Sequence, residues 1–179
     1  MQRKKFLGEP VRHIRINGQL TVDELIQQFK NSGSFGAGRL SVACDIYERM
    51  LKEKKCTIFL SLAGAVVPAG LRSMIADMIR ERFIDVLVST GANMVHDAIE
   101  AVGGHHYKGH WLADDYMLYK YHVYRIYDVF VPEEDFVKLD YRLTEVFDDM
   151  AAESNGKNLS SREFAYELGK RLGDPNSIL

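Results

Sequence analysis

Two stretches of this sequence place small residues where a chain must let another molecule come close. They are "SLAGAVVPAG", residues 61–70, and "STGANMVHD", residues 89–97. Each follows an apolar run and opens a helical pattern. Ala63, Gly64, Ala65, Gly91 and Ala92 are therefore expected at strand-to-helix turns, with backbone amides left free. A helix N-terminus adds partial positive charge there, which suits a phosphate. In an open parallel sheet, ligands collect outside the carboxyl ends of the strands, where loops diverge. Small residues also serve close packing, so a purely structural turn is the competing reading.

His96 lies just past the second turn, with Asp97 beside it. An imidazole there can act as a general base or as a hydrogen-bonding group poised near neutral pH. The alternative is a histidine satisfied by a backbone partner, with no ligand. His105, His106 and His110 invite a metal reading, because His106 and His110 have the i, i+4 spacing of zinc ligands on a helix. Gly103, Gly104 and Gly109 argue against a helix in this segment, and no motif places a third ligand. A loop of solvated or packing histidines, without metal, is the expectation. Trp111 and the tyrosines from Tyr116 to Tyr127 could form a stacking platform. Without a basic stripe beside them, packing at a subunit or loop interface is favoured.

The elements that position these residues can be read in order. Thr21 with Glu24 is a capping box, and Val22, Leu25, Ile26 and Phe29 follow at helical spacing. A second helix is predicted over about 39–54 from Leu40, Ala43, Cys44, Tyr47 and Leu51, with Gly36 and Gly38 in the interhelical turn before it. "CTIFLSLAG" is too apolar for a half-exposed strand and reads as covered on both faces. "LRSMIADMIRERF" is a helix, "IDVLVS" a second buried strand and "MVHDAIEAVGG" a second helix. Strand, helix, strand, helix at these lengths is a right-handed βαβ unit in a doubly wound layer. Beyond it, "VYRIYDVFV" reads as one short strand, and Pro132 sits in the first turn of a helix over about 133–153. Ser160 and Glu163 repeat the capping box for a last helix that ends at Gly173.

The 179 residues suit one domain, 1–179, and 46% of them are hydrophobic. The formal net charge of -2 excludes the broad basic face that nucleic acid needs. Arg3-Lys4-Lys5 and the lysines from Lys52 to Lys55 read as a terminus and a solvated helix end. No apolar run approaches the ~18 residues of a membrane span. Cys44 and Cys56 fall in no motif, which fits a reducing, cytoplasmic setting. Two parallel strands are few for a stable sheet, so open edges point to a homo-oligomer or to an incomplete domain.

The ordered set "SGSFGAGRL", "CTIFLSLAGAVVPAGLR", "IDVLVSTGANMVHDAIEA", "YRIYDVFVPEEDF" and "ELGKRLGDPNSI" resembles the deoxyhypusine synthase family over nearly the whole chain. The likeness is to the deoxyhypusine-synthase-like group in particular. It implies a cytoplasmic homotetramer with an α/β, Rossmann-like parallel sheet and helices on both faces. It also implies an NAD-dependent transferase that oxidises spermidine or a related amine. The aminobutyl group passes through an enzyme lysine to a lysine of a translation factor precursor, or to another amine. By the same resemblance NAD contacts fall on Gly64, Ala65, Val66, Val67 and Pro68, and on Thr90, Gly91 and Ala92.

Two departures from the family accompany the likeness. Val95 and His96 stand where the well-studied synthases carry two glutamates facing amine and cofactor, whereas Asp97 matches the family's next acidic residue. His96 and Asp97 are thus the expected substrate-facing pair. Losing two carboxylates removes about a few kcal/mol of attraction for a cationic amine in a desolvated site. The family's aspartate-rich segment, its active-site histidine and the imine-forming lysine of "WGK" are expected beyond residue 179. The chain accordingly reads as the N-terminal portion of a family member. The competing reading is a non-catalytic, truncated homologue that binds NAD or assembles with a full-length subunit.

Overall fold

The computed structural model describes residues 6–154 and 156–179, and the basic cluster Arg3-Lys4-Lys5 lies outside the described residues. These residues divide into two compact units, one ending at Ile58 and the other beginning at Phe59.

The first unit is a helical pair, α1 (Val22–Ser32) and α2 (Phe35–Lys52). Thr21 caps α1 through the expected box: its hydroxyl accepts from the Glu24 amide at 3.2 Å, and the Glu24 carboxylate accepts from the Thr21 amide at 2.8 Å. Replacing such a cap by alanine costs about 1 kcal/mol. Gly33 ends α1 in the left-handed conformation, at φ 64°. The second helix begins four residues earlier than expected, so Gly36 and Gly38 are helical and not part of the turn. Packing explains Gly38: a Cβ there would stand 2.6 Å from the Gly33 carbonyl carbon. The helices can approach so closely only over glycine.

The second unit is mixed α/β. Strand β1 (Phe59–Ser61) pairs in parallel with β2 (Val86–Val88), with Phe59 opposite Val86 and Ser61 opposite Val88. Between them the chain forms a π-helical turn over Val67–Leu71 and then α3 (Arg72–Arg80). Helix α4 (Gly91–Ala101) follows β2. This βαβα order is the one that the apolar pattern predicts. The strands themselves are not covered on both faces by the described residues, since Phe59 and Val88 are 64% and 50% exposed.

A second sheet departs from the single parallel one expected. It is antiparallel, in the order β3 (Tyr107–Lys108), β5 (Val129–Pro132), β4 (Val123–Ile126). "VYRIYDVFV" is therefore a hairpin and not one strand. Tyr127, at φ 58°, and Asp128 make its two-residue turn, and an apolar run of this length conceals so short a turn. Helix α5 (Asp115–Lys120) precedes the hairpin, capped by Asp114. Pro132 ends β5 and stands just before α6 (Glu133–Ser154) instead of inside its first turn. Helix α7 (Ser161–Leu172) has the expected Ser160–Glu163 box and stops at Gly173, φ 71°.

The core joins α4, β5 and α6 through Ala98, Ile99, Val131 and Leu139. A second cluster, Val146, Met150 and Leu168, ties α6 to α7. One face of α4 is thereby fixed by packing, and its other face is left to carry polar groups. Among the described residues no helix is long and apolar enough to cross a membrane.

Candidate functional site

The carboxyl ends of β1 and β2 lie side by side, and the Leu62 amide continues their ladder by donating to the Val88 carbonyl at 2.8 Å. The two small-residue turns therefore meet. Gly64, Thr90, Gly91 and Ala92 are all exposed at this end. A Cβ on Gly64 would lie 3.7 Å from Thr90 Oγ1 and 3.9 Å from Ala92 Cβ, so the two turns are close enough to form one lip. Ala65 is held at φ 70°, a left-handed conformation that costs a non-glycine residue about 1–2 kcal/mol.

Asn93 fastens the turns together. Its Oδ1 accepts from the Val66 amide at 2.9 Å and the Val67 amide at 3.4 Å, and its Nδ2 donates to the Ala63 carbonyl at 2.6 Å. Thr90 caps α4 by accepting from the Asn93 amide at 3.4 Å. The Val66 and Val67 amides are thus spent on Asn93. Val67 and Pro68 are buried, so they shape the turn from behind. Ser89 Oγ, at the end of β2, is buried without a hydrogen-bond partner. A buried hydroxyl without a partner is costly, by about 1–3 kcal/mol.

Helix spacing carries this order down α4. Asn93, His96, Asp97 and Glu100 recur at i, i+3, i+4 and i+7 and so share a face. His96 Nδ1 is 3.0 Å from His106 Nε2, and His106 Nδ1 is 2.7 Å from Glu100 Oε1. The His96 and His106 rings meet edge to face at 5.0 Å, and Phe136 of α6 packs on His96 at 6.2 Å. Burial lowers the pKa of His96, and His106 lowers it further against the pull of Glu100. The hydrogen bond from His106 lowers the pKa of Glu100 and outweighs the effect of burial, with Arg72 adding to it.

Asp97 is fully buried, and both its oxygens are taken. Oδ1 accepts from Arg72 Nε at 2.7 Å and from the Ile178 amide at 3.2 Å, and Oδ2 accepts from Ser177 Oγ at 2.5 Å. Arg72 Nη2 donates to Asp174 Oδ2 at 2.7 Å and to the Asp97 carbonyl at 3.2 Å, while Nη1 stands 3.6 Å from Glu100 Oε2. Burial opposes the charge of Arg72, but the bonds to Asp97 and Asp174 prevail and raise its pKa.

The structure thus brings Gly64, Thr90, Gly91 and Ala92 together at one lip. His96 stands one helical turn further along α4, while Asp97 points into the protein. His105 and His110 are exposed, and His106 alone of that segment's three histidines has a buried side chain. Among the described residues no cluster of three or more His, Cys, Asp or Glu side chains is arranged to hold a metal. Asn93, Arg72, Glu100 and His106 were not singled out from the sequence as partners of the site. The i, i+4 spacing of His96 and Glu100 was an available signal, whereas nothing local marks Arg72.

The family model for deoxyhypusine synthase matches residues 24–179. A probable deoxyhypusine synthase of Methanosarcina mazei is 49% identical over 98% of this chain and 54% of its own length. One of Methanosarcina thermophila is 47% identical with the same coverage. A deoxyhypusine synthase-like protein of Chlorobaculum parvum is 37% identical over 100% of this chain and 51% of its own. The chain spans about half the length of these curated relatives.

Proposed function

The chain belongs to the deoxyhypusine synthase family, and on that premise we propose that it serves NAD-dependent transfer of an aminobutyl group from spermidine or a related amine. The acceptor is a lysine of a translation factor precursor or another amine. The observation that carries this reading is the meeting of two exposed small-residue turns at the carboxyl ends of paired parallel strands. NAD, when bound, supplies a hydride acceptor. Gly64 and Ala65 from the first turn and Thr90, Gly91 and Ala92 from the second hold it, with Val66, Val67 and Pro68 setting the shape of the first turn.

The fit of these residues rests on three features. The lip between Gly64 and Thr90 is open where a side chain would fill it, and the unpartnered Ser89 Oγ lies at the same strand end. The helix N-terminus at Gly91 favours the negative charge of a dinucleotide's phosphates. His96 faces the amine and, while neutral, accepts a hydrogen bond from it. Asp97 serves the substrate side indirectly, by locking Arg72 and the segment 174–178 beneath α4.

The parallel pair belongs, in this reading, to a wider Rossmann-like sheet with helices on both faces. The exposed Phe59 and Val88 support it, because they need cover that the described residues do not give. Trp111, Tyr116, Tyr119 and Tyr121, each more than half exposed, support packing against further copies in a homotetramer. Two unpaired cysteines support a cytoplasmic setting.

Calorimetric titration of NAD into the wild-type chain and Gly64→Val tests the proposal. The added side chain meets nothing closer than ordinary contact at its Cβ, so the fold is kept while the lip is filled. Affinity should fall by about tenfold or more, which corresponds to about 1.4 kcal/mol. Equal affinity in both proteins removes these turns from the cofactor site.

A further inference from the structure

A carboxylate accepts hydrogen bonds and cannot donate them, so the contact with Glu100 Oε1 requires His106 to carry a proton on Nδ1. In neutral His106, Nε2 is then a bare acceptor. Its 3.0 Å contact with His96 requires His96 Nδ1 to be the donor. His96 is thereby held as the Nδ1–H tautomer, with an unprotonated Nε2. That nitrogen has no hydrogen-bond partner among the described residues and is not sealed from solvent.

We propose that Glu100, His106 and His96 form a proton relay in which His96 Nε2 deprotonates the substrate ammonium and the positive charge comes to rest on His106. This rests on the amine reading above. The ammonium N–H bond breaks and its proton binds His96 Nε2. The Nδ1 proton of His96 moves to His106 Nε2, and His106 becomes an imidazolium against the Glu100 carboxylate. The amine is left neutral, with the lone pair that an ammonium lacks and that hydride loss requires. One proton enters the relay, no electrons are exchanged within it, and no further reactant is needed.

The surroundings favour this end state. Glu100 is the carboxylate in contact with the imidazole pair. Arg72, from α3, faces Glu100 Oε2 at 3.6 Å, but its charge is already shared with Asp97 and Asp174. From α6 come the Phe136 ring and Asp135, whose Oδ2 accepts from the His105 amide at 3.0 Å. His105 itself is exposed and acts on Glu100 only through its field. A charge on His106 therefore meets an opposite charge directly, whereas His96 hydrogen-bonds to His106 and to no carboxylate. His96 is the group assigned to touch substrate, and His106 and Glu100 position it.

Nitrogen NMR of histidine-labelled protein, followed from about pH 5 to pH 8, tests the relay. In wild type, His96 should show Nδ1–H and a bare Nε2, and the pair should take up one proton with the charge on His106. Glu100→Gln still offers an oxygen to His106, so the tautomers should persist. The midpoint of the pair should fall by about 1 pH unit or more with the loss of the adjacent charge. An Nε2–H tautomer of His96 in wild type overturns the relay and needs no variant to be folded. An unmoved midpoint in Glu100→Gln overturns it as well. Spermidine added to wild type should lower the midpoint further. A relay that titrates as expected but ignores spermidine contradicts the amine reading, and a wrong tautomer beside a spermidine response contradicts the relay alone.

Discussion

Arg72 Nε donates to Asp97 Oδ1 across 2.7 Å, and the carboxylate that receives it is wholly buried. The same carboxylate holds Ser177 and Ile178, 80 and 81 residues further along the chain. One side chain of α4 therefore anchors α3 beside it and the segment that follows α7. Asp97→Ala removes the charge that balances a buried guanidinium and should destabilise the protein by about 3–5 kcal/mol. Urea unfolding measures this. A shift below about 1 kcal/mol would mean that Asp174 and Glu100 suffice for Arg72.

Asn93 joins the two turns by three hydrogen bonds. Asn93→Ala leaves the Val66 and Val67 amides without this acceptor, at about 1–3 kcal/mol for a buried group. Amide hydrogen exchange at Val66 should accelerate in the variant. Unchanged protection there would show that the first turn holds its shape without Asn93.

Stability should depend on pH in two windows. The folded pKa of His96 lies below its ordinary value of 6.5, so the unfolded chain binds more protons between the two. Stability should therefore fall as pH drops from about 6.5 toward the folded value. The folded pKa of Glu100 lies below its ordinary value of 4.5, so its contribution is present above that value and is lost as pH falls through the folded one. Chemical denaturation across this range checks both windows. His96→Phe should flatten the upper window and Glu100→Gln the lower. Profiles identical to wild type would remove both groups from the acid response.

Much of this architecture was legible in the sequence because it is local. Thr21 with Glu24, and Ser160 with Glu163, announce helix starts by residue type and spacing, and both boxes form. The βαβα order follows from apolar periodicity, and the small residues of 61–70 and 89–97 mark where the strands end. Gly36 and Gly38 misled because glycine signals a turn and a close helix contact alike, and only the approach of Gly33 decides between them. The hairpin at Tyr127 was hidden because β-branched and aromatic residues run up to it on both sides with only two residues between. At the site, Gly64, Gly91 and His96 could be named from their turns, and Thr90 from the family resemblance. His106 and Arg72 could not, because their roles arise from contacts across 10 and 25 residues that no spacing rule encodes.

Whether the turns after β1 and β2 hold NAD, as proposed, is decided by a backbone amide NMR titration of the chain with NAD. Saturable shifts should concentrate at Gly64, Ala65, Gly91 and Ala92, and should be attenuated throughout that set in Gly64→Val. Shifts that spare these four residues, or no shifts up to millimolar NAD at about the weak end of specific binding, would contradict it.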